Sequence, residues 1–247
     1  MARVGPRYLW WRMPEWNPYK PPSADVSGPG PGVGFTVAGV VPPRTGWARA
    51  ASVGLALCVL IAVVSLGAQW RYVAALQALD GGDLEASAMW MNATAIVDWL
   101  LSIGTGVCFL GWVAGASRTA RSIDALEIRD TPTWTVAWWF IPIANFYKPY
   151  ASLKKIWRVT MRPSGLPADA GPPARFPIWW TCFIVRVLLA RLSQAMSNTT
   201  RVGELIDAAQ VQMVHEVVSI VAAVAAIGVI RAITEPQARL ARPAPAG

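Results

Sequence analysis

Four long runs almost free of charge leave this chain few ways to fold. Residues 50–69 carry no charged side chain, and residues 93–116 carry Asp98 alone. Residues 176–196 carry Arg186 and Arg191, and residues 214–230 begin with His215 and Glu216 at their mouth. A hydrocarbon core about 30 Å thick is crossed by about 20 residues of helix, so each run is long enough with a few residues of tolerance. Backbone amides in lipid must be paired within the segment, which leaves helices and rules out open strands. The apolar content of 54% and mean hydropathy of +0.38 belong to the same class. The expected fold is all-α integral membrane: a four-helix transmembrane bundle with spans at about 50–70, 93–116, 176–196 and 214–233.

Loop charges set the expected orientation, because Lys and Arg collect on the cytoplasmic side. Arg3, Arg7, Arg12, Lys20, Arg44 and Arg49 precede the first span, whereas the loop after it has Arg71 against Asp80, Asp83 and Glu85. The next loop holds Arg118, Arg121 and Arg129. An aromatic block follows, residues 134–149, with Trp134, Trp138, Trp139, Pro142, Asn145 and Pro149. It is too short for a straight span. Were it to cross, the most basic loop, Lys148 to Arg175, would lie outside. The block is therefore expected to enter from the cytoplasmic side and turn back, with Asn145 bonding the backbone at the bend and Pro149 opening an interfacial helix. Both termini then lie in the cytoplasm.

The chain divides accordingly into a Pro/Gly-rich tail expected to be disordered (1–46), a membrane domain (47–236, with the interfacial block at 134–162) and a second disordered tail (237–247). The first residues lack the apolar core of a signal peptide, so the first span is expected to act as an uncleaved anchor. Cys58, Cys108 and Cys182 all fall inside spans with no Cys-x-x-Cys spacing, which implies neither a disulfide framework nor zinc. The net charge of +8 is accounted for by cytoplasmic loops facing anionic lipid headgroups rather than by nucleic acid.

Two groups of residues are candidates for function. From Tyr147 to Met161, apolar Tyr150, Leu153, Ile156, Trp157 and Met161 share one helical face, opposed by Lys148, Lys154, Lys155, Arg158 and Arg162. That is the pattern of an interfacial helix, with membrane lipid as its partner; a helical hairpin that braces the bundle gives the same pattern. The second group is Asp98, Arg186, Arg191 and Glu216, since charges inside a span are costly and have a reason. Arg191 is expected to pair with Asp98 or Glu216, while Arg186 has no acid at its own level and could reach Asp98, a carbonyl or water. Such charges either fix helix register or line a substrate or proton path. Gly111 with Gly115, and Ala222 with Ala226, allow close helix approach within the bundle or between protomers of an oligomer. One histidine builds no metal site alone. No nucleophile elbow, phosphate loop or metal-ligand motif occurs, so no catalytic residue or cofactor is assigned.

The central residues resemble the bacterial membrane family catalogued as domain of unknown function 4328. Trp112, Arg118 and Arg121 fit its span ending, and Pro132 and Trp134 its Pro-x-Trp. Trp138, Trp139, Phe140, Pro142, Ala144 and Asn145 fit its Trp-Trp-Phe block, and Pro149, Ile156, Trp157 and Arg158 its following helix. Trp179, Trp180, Arg231, Ile233 and Gln237 fit its later pattern; Thr119 departs from it. The resemblance covers about residues 50–239 and implies a multi-span protein of the bacterial inner membrane. It carries no activity. The expected function is a non-enzymatic membrane protein that binds lipid or a protein partner. The alternatives are an oligomeric small-solute or proton-coupled transporter component and, third, a membrane enzyme acting on lipids.

Overall fold

A computed structural model describes residues 39–78, 81–167, 170–196 and 201–242. The chain divides after Phe35 into two units, of which the first lies outside the described residues. So do residues 1–38 and 243–247 of the two expected tails. Among the described residues there are six α-helices and no strand: α1 (Thr45–Ala78), α2 (Gly81–Ile123), α3 (Pro132–Ala137), α4 (Lys148–Met161), α5 (Arg175–Met196) and α6 (Val202–Leu240). Four of them, α1, α2, α5 and α6, are long and apolar enough to cross a membrane. At 1.5 Å per residue α5 is about 33 Å long, close to one bilayer core. By the same measure α2 reaches about 65 Å and α6 about 58 Å, so both run on beyond lipid. Nothing in residues 117–123 stops a helix, and the polar Ser117, Arg118 and Arg121 simply carry it out of the apolar zone.

The four long helices alternate in direction. Val41 N–H donates to Ser122 Oγ at 2.9 Å, Trp112 Nε1 to Thr234 Oγ1 at 2.9 Å, and Arg175 Nη1 to the Gly228 carbonyl at 3.4 Å. The start of α1, the end of α2, the start of α5 and the end of α6 thus share one end of the bundle. This basic end also carries α3 and α4. The end of α1, the start of α2, the end of α5 and the start of α6 share the far end, and there Ser193 Oγ donates to the Ala208 carbonyl.

Packing around the bundle is uneven. α1 lies along both α2 and α6, and α5 lies along α6, but α2 and α5 share no extended contact. Where α1 meets α2 the helices nearly touch: a Cβ on Gly54 would stand 2.5 Å from Thr105 Oγ1, and one on Gly111 would stand 2.8 Å from the Trp47 ring. Gly111, Ala222 and Ala226 therefore serve contacts within the chain, the last two being buried in α6.

The basic end is closed by protein. α4 turns Leu153, Ile156, Trp157 and Val159 onto the ends of α2, α5 and α6, and all four are buried. Its apolar stripe braces the bundle instead of lying in lipid. Helix α6 continues four residues into the segment expected as a tail, because Gln237 is fully buried there, donating from Nε2 to the Ala116 carbonyl (3.1 Å) and to Thr160 Oγ1 (3.2 Å). Arg162, just past α4, pairs with Asp124 and Glu127. The hydrogen bond from Glu127 and the two acidic charges raise the pKa of its guanidinium above the usual arginine value. Gly165, in the left-handed region at φ +80°, then ends the turn.

Candidate functional site: an intramembrane cleft

The block 134–149 does not form a crossing helix. Thr131 Oγ1 accepts from Trp134 N–H and Pro132 opens α3, so the chain gains one short helix to Ala137. Turns follow, then a 3₁₀ turn at Ala144–Phe146, then α4 from Lys148 with Pro149 in its first turn. The bend places Trp139 among rings of α2 and α5: Phe109 at 5.5 Å, Trp180 at 6.0 Å, Phe183 at 6.0 Å and Trp179 at 6.3 Å between centroids. Phe183 lies eight residues into α5, about 12 Å along it, so the block penetrates about a third of the span from the basic end. Its tip leaves Phe140, Ile143 and Phe146 exposed, with Pro142 between them. Asn145 differs from expectation. Its main-chain N–H donates to the Ile141 carbonyl at 2.8 Å, but its side-chain oxygen is buried without a partner among the described residues. The bend is held by backbone bonds and rings, so the amide side chain is not what closes it.

The other expected residues of this region are scattered. Trp134 is half exposed and rests on Trp138. Trp138 Nε1 donates to Asp130 Oδ2 at 3.2 Å. Trp157 is buried against Phe176, and Arg158 is half-buried beside it in sequence, its Nε unpartnered.

Above the aromatic layer, the gap between α2 and α5 becomes a cleft floored by α1 and α6. A hollow of about 270 Å³ lies nearest the rings, walled by Leu55, Phe109, Phe183 and Ala223 and carrying Asp98, Ser102 and Arg186 at its inner margin. A second hollow, about 260 Å³, continues toward the far end and carries more polar side chains, Gln69, Gln212, His215 and Glu216 among them, beside Met91 and Trp99. Asp98, Ser102 and Arg186 border both. Arg186 stands at the middle of α5, and so at the middle of the bilayer if α5 spans it. Asp98, Arg186, His215 and Glu216 all line the second hollow. Glu216 accepts from Gln212 Nε2 at 2.9 Å, and His215 Nδ1 is 3.2 Å from the same nitrogen. Gln69, buried, leaves its side-chain oxygen unpartnered toward this hollow.

Arg191 is not part of this group. It is exposed and forms no ion pair with Asp98 or Glu216. The arginine that lines the cleft together with Asp98 and Glu216 is Arg186. Five residues along a helix is a rotation of about 140°, so two arginines so spaced cannot share one face. His215, expected at the interface, is buried inside the bundle. The polar residues Gln69, buried, and Gln212, half-buried, were missed. Their signal was available, since each is an amide side chain at the edge of an apolar run. Among the described residues no three His, Cys, Asp or Glu side chains are grouped to hold a metal ion.

Four alternating apolar helices with ionisable groups at mid-depth define a multi-pass membrane protein. The chain belongs to the family described as domain of unknown function (DUF4328), whose model matches residues 75–235. That match runs from the last turn of α1 nearly to the end of α6, and so takes in the aromatic block and both lips of the cleft. The α1 floor, with Leu55 and Gln69, precedes it. No curated protein and no solved structure matches the chain.

Proposed function

We propose that this is a non-enzymatic membrane protein that takes an amphipathic, lipid-class molecule into the cleft between α2 and α5. The observation that carries the reading is the junction of two unlike hollows at Asp98, Ser102 and Arg186. An apolar chain suits the hollow walled by Leu55, Phe109 and Phe183. A polar head suits the one lined by Gln69, Gln212, His215 and Glu216, which offers both donors and acceptors. Entry is lateral, because α2 and α5 are not packed together. The basic end faces the cytoplasm of a bacterial inner membrane, where Lys154 and its neighbours on α4 meet anionic headgroups.

A second reading, an oligomeric transporter component for a small solute or proton, is favoured by the ionisable groups at mid-depth. Lipid analysis and flux separate the two. Protein extracted with native lipid and analysed by mass spectrometry should retain a stoichiometric amphipathic molecule. Ala223→Phe, which fills the apolar hollow, should lose it. Solute or proton flux in proteoliposomes without any retained amphipath would instead favour transport.

A further inference from the structure

Outside the aromatic layer, at the basic end, the loop 124–131 and α3 lean against α4 around another hollow of about 210 Å³. Three cations border it: Arg129 from the loop, and Lys148 and Lys155 from α4. Positions 148, 152 and 155 lie on one helical face, so Ser152 stands between the two lysines. Ser117 and Thr135, both buried, add hydroxyls whose oxygens are 3.1 Å apart. The one carboxylate at the rim, Asp130, accepts from Trp138 and is in no ion pair. None of the three cations has a salt-bridge partner among the described residues.

The walls are held in place before any ligand arrives. Arg121 Nη1 donates to the carbonyls of Ile128, Arg129 and Asp130 at 3.3, 3.1 and 3.3 Å, which fixes the loop. The Lys148 ammonium sits 4.9 Å from the Trp138 ring centre. Three like charges brought together around a concave surface repel one another, and an anion between them relieves that repulsion. Cations combined with hydroxyl donors match phosphate oxygens. Depth agrees as well. Ser117 is eight residues beyond Phe109 on α2, about 12 Å further from the bilayer centre, at the level of headgroups outside the hydrocarbon.

We propose that this hollow binds a phosphate-bearing anion, supplied either by a lipid headgroup or by a soluble phosphate. The site is separate from the intramembrane cleft. The test uses the full chain in phosphatidylcholine nanodiscs, titrated with inorganic phosphate, and in discs doped with phosphatidic acid, with Trp fluorescence and native mass spectrometry as readouts. Lys148→Gln, Lys155→Gln and Arg129→Gln should each weaken binding about tenfold, the scale of one charge-assisted contact. Arg71→Gln, near the far end of α1 and away from the hollow, should leave it unchanged. Retention of phosphatidic acid over phosphatidylcholine assigns the headgroup as source, and phosphate binding without such retention assigns a soluble one. Arg129 and the lysines come from different elements, so a folding defect in one variant does not hide the answer from the others. Binding of neither probe, or an equal loss in Arg71→Gln, overturns the proposal.

Discussion

Trp180 Nε1 of α5 donates to the main-chain oxygen of Phe146 at 3.2 Å. Trp180 lies five residues into α5, so this bond fixes the exposed tip of the aromatic block at a shallow depth, about 8 Å along the span from the basic end. A spin label at Ile143, 80% exposed at the tip, should report a depth near the headgroup boundary on the same side as Ala170. A label at the bilayer centre, or nearer the far end, would show that the block crosses.

The alternating helix directions put Ala170 and Gly203 at opposite ends of the bundle. With the basic end inside, a cysteine at Ala170 should react with an impermeant maleimide only after the cells are opened. One at Gly203 should react in intact cells. Labelling of Ala170 from outside would invert the orientation and remove the basis for headgroup contact by α4.

Close approach of α1 and α2 rests on Gly54. Its missing side chain admits Thr105, whose Oγ1 and Cβ would lie 2.5 and 3.1 Å from an added Cβ. Gly54→Val should therefore force the helices apart and destabilise by about 1–3 kcal/mol, read as a lowered melting temperature in detergent. Gly67→Val, with open space around the same added atom, should leave that temperature nearly unchanged.

Gln237 ties α6 to α2 and α4 through two buried hydrogen bonds. Gln237→Ala removes both, leaving the Ala116 carbonyl only its bond within α2, at a cost of about 2 kcal/mol for the pair. Thermal unfolding of the purified protein would register the change. A variant as stable as the parent would mean that the end of α6 does not seal the bundle.

Several of these features were legible in the sequence and others were not. The four spans followed from length and charge alone, and the turning back of the aromatic block from its Pro content and basic neighbours. Which arginine faces inward was not legible. Helix α5 is apolar nearly all round, so depth along the helix was readable but azimuth was not, and depth alone favoured Arg191 over Arg186 as the partner of the acids. The apolar stripe of α4 was visible as a periodicity, but a periodicity does not say whether lipid or protein covers it; here Leu153 and Ile156 face protein. Pro236 hid the end of α6, since a proline normally stops a helix; here the helix runs four residues past it to Leu240, and Gln237 continues the packing.

Arg186 is the residue on which the cleft reading turns, and Arg191 is its internal control. Native mass spectrometry of the parent, Arg186→Gln and Arg191→Gln, each released from the same lipid extract, tests the reading most directly. Melting temperatures run alongside, because Arg186 lines both hollows with Asp98 and its loss also removes a charge from the bundle interior. The parent and Arg191→Gln should carry the same amphipathic adduct. Arg186→Gln, folded by the melting criterion, should lose it at least about tenfold, as expected for one charged contact at a desolvated site. Equal retention by all three proteins, or no adduct on the parent, would contradict a ligand held at the junction of the two hollows.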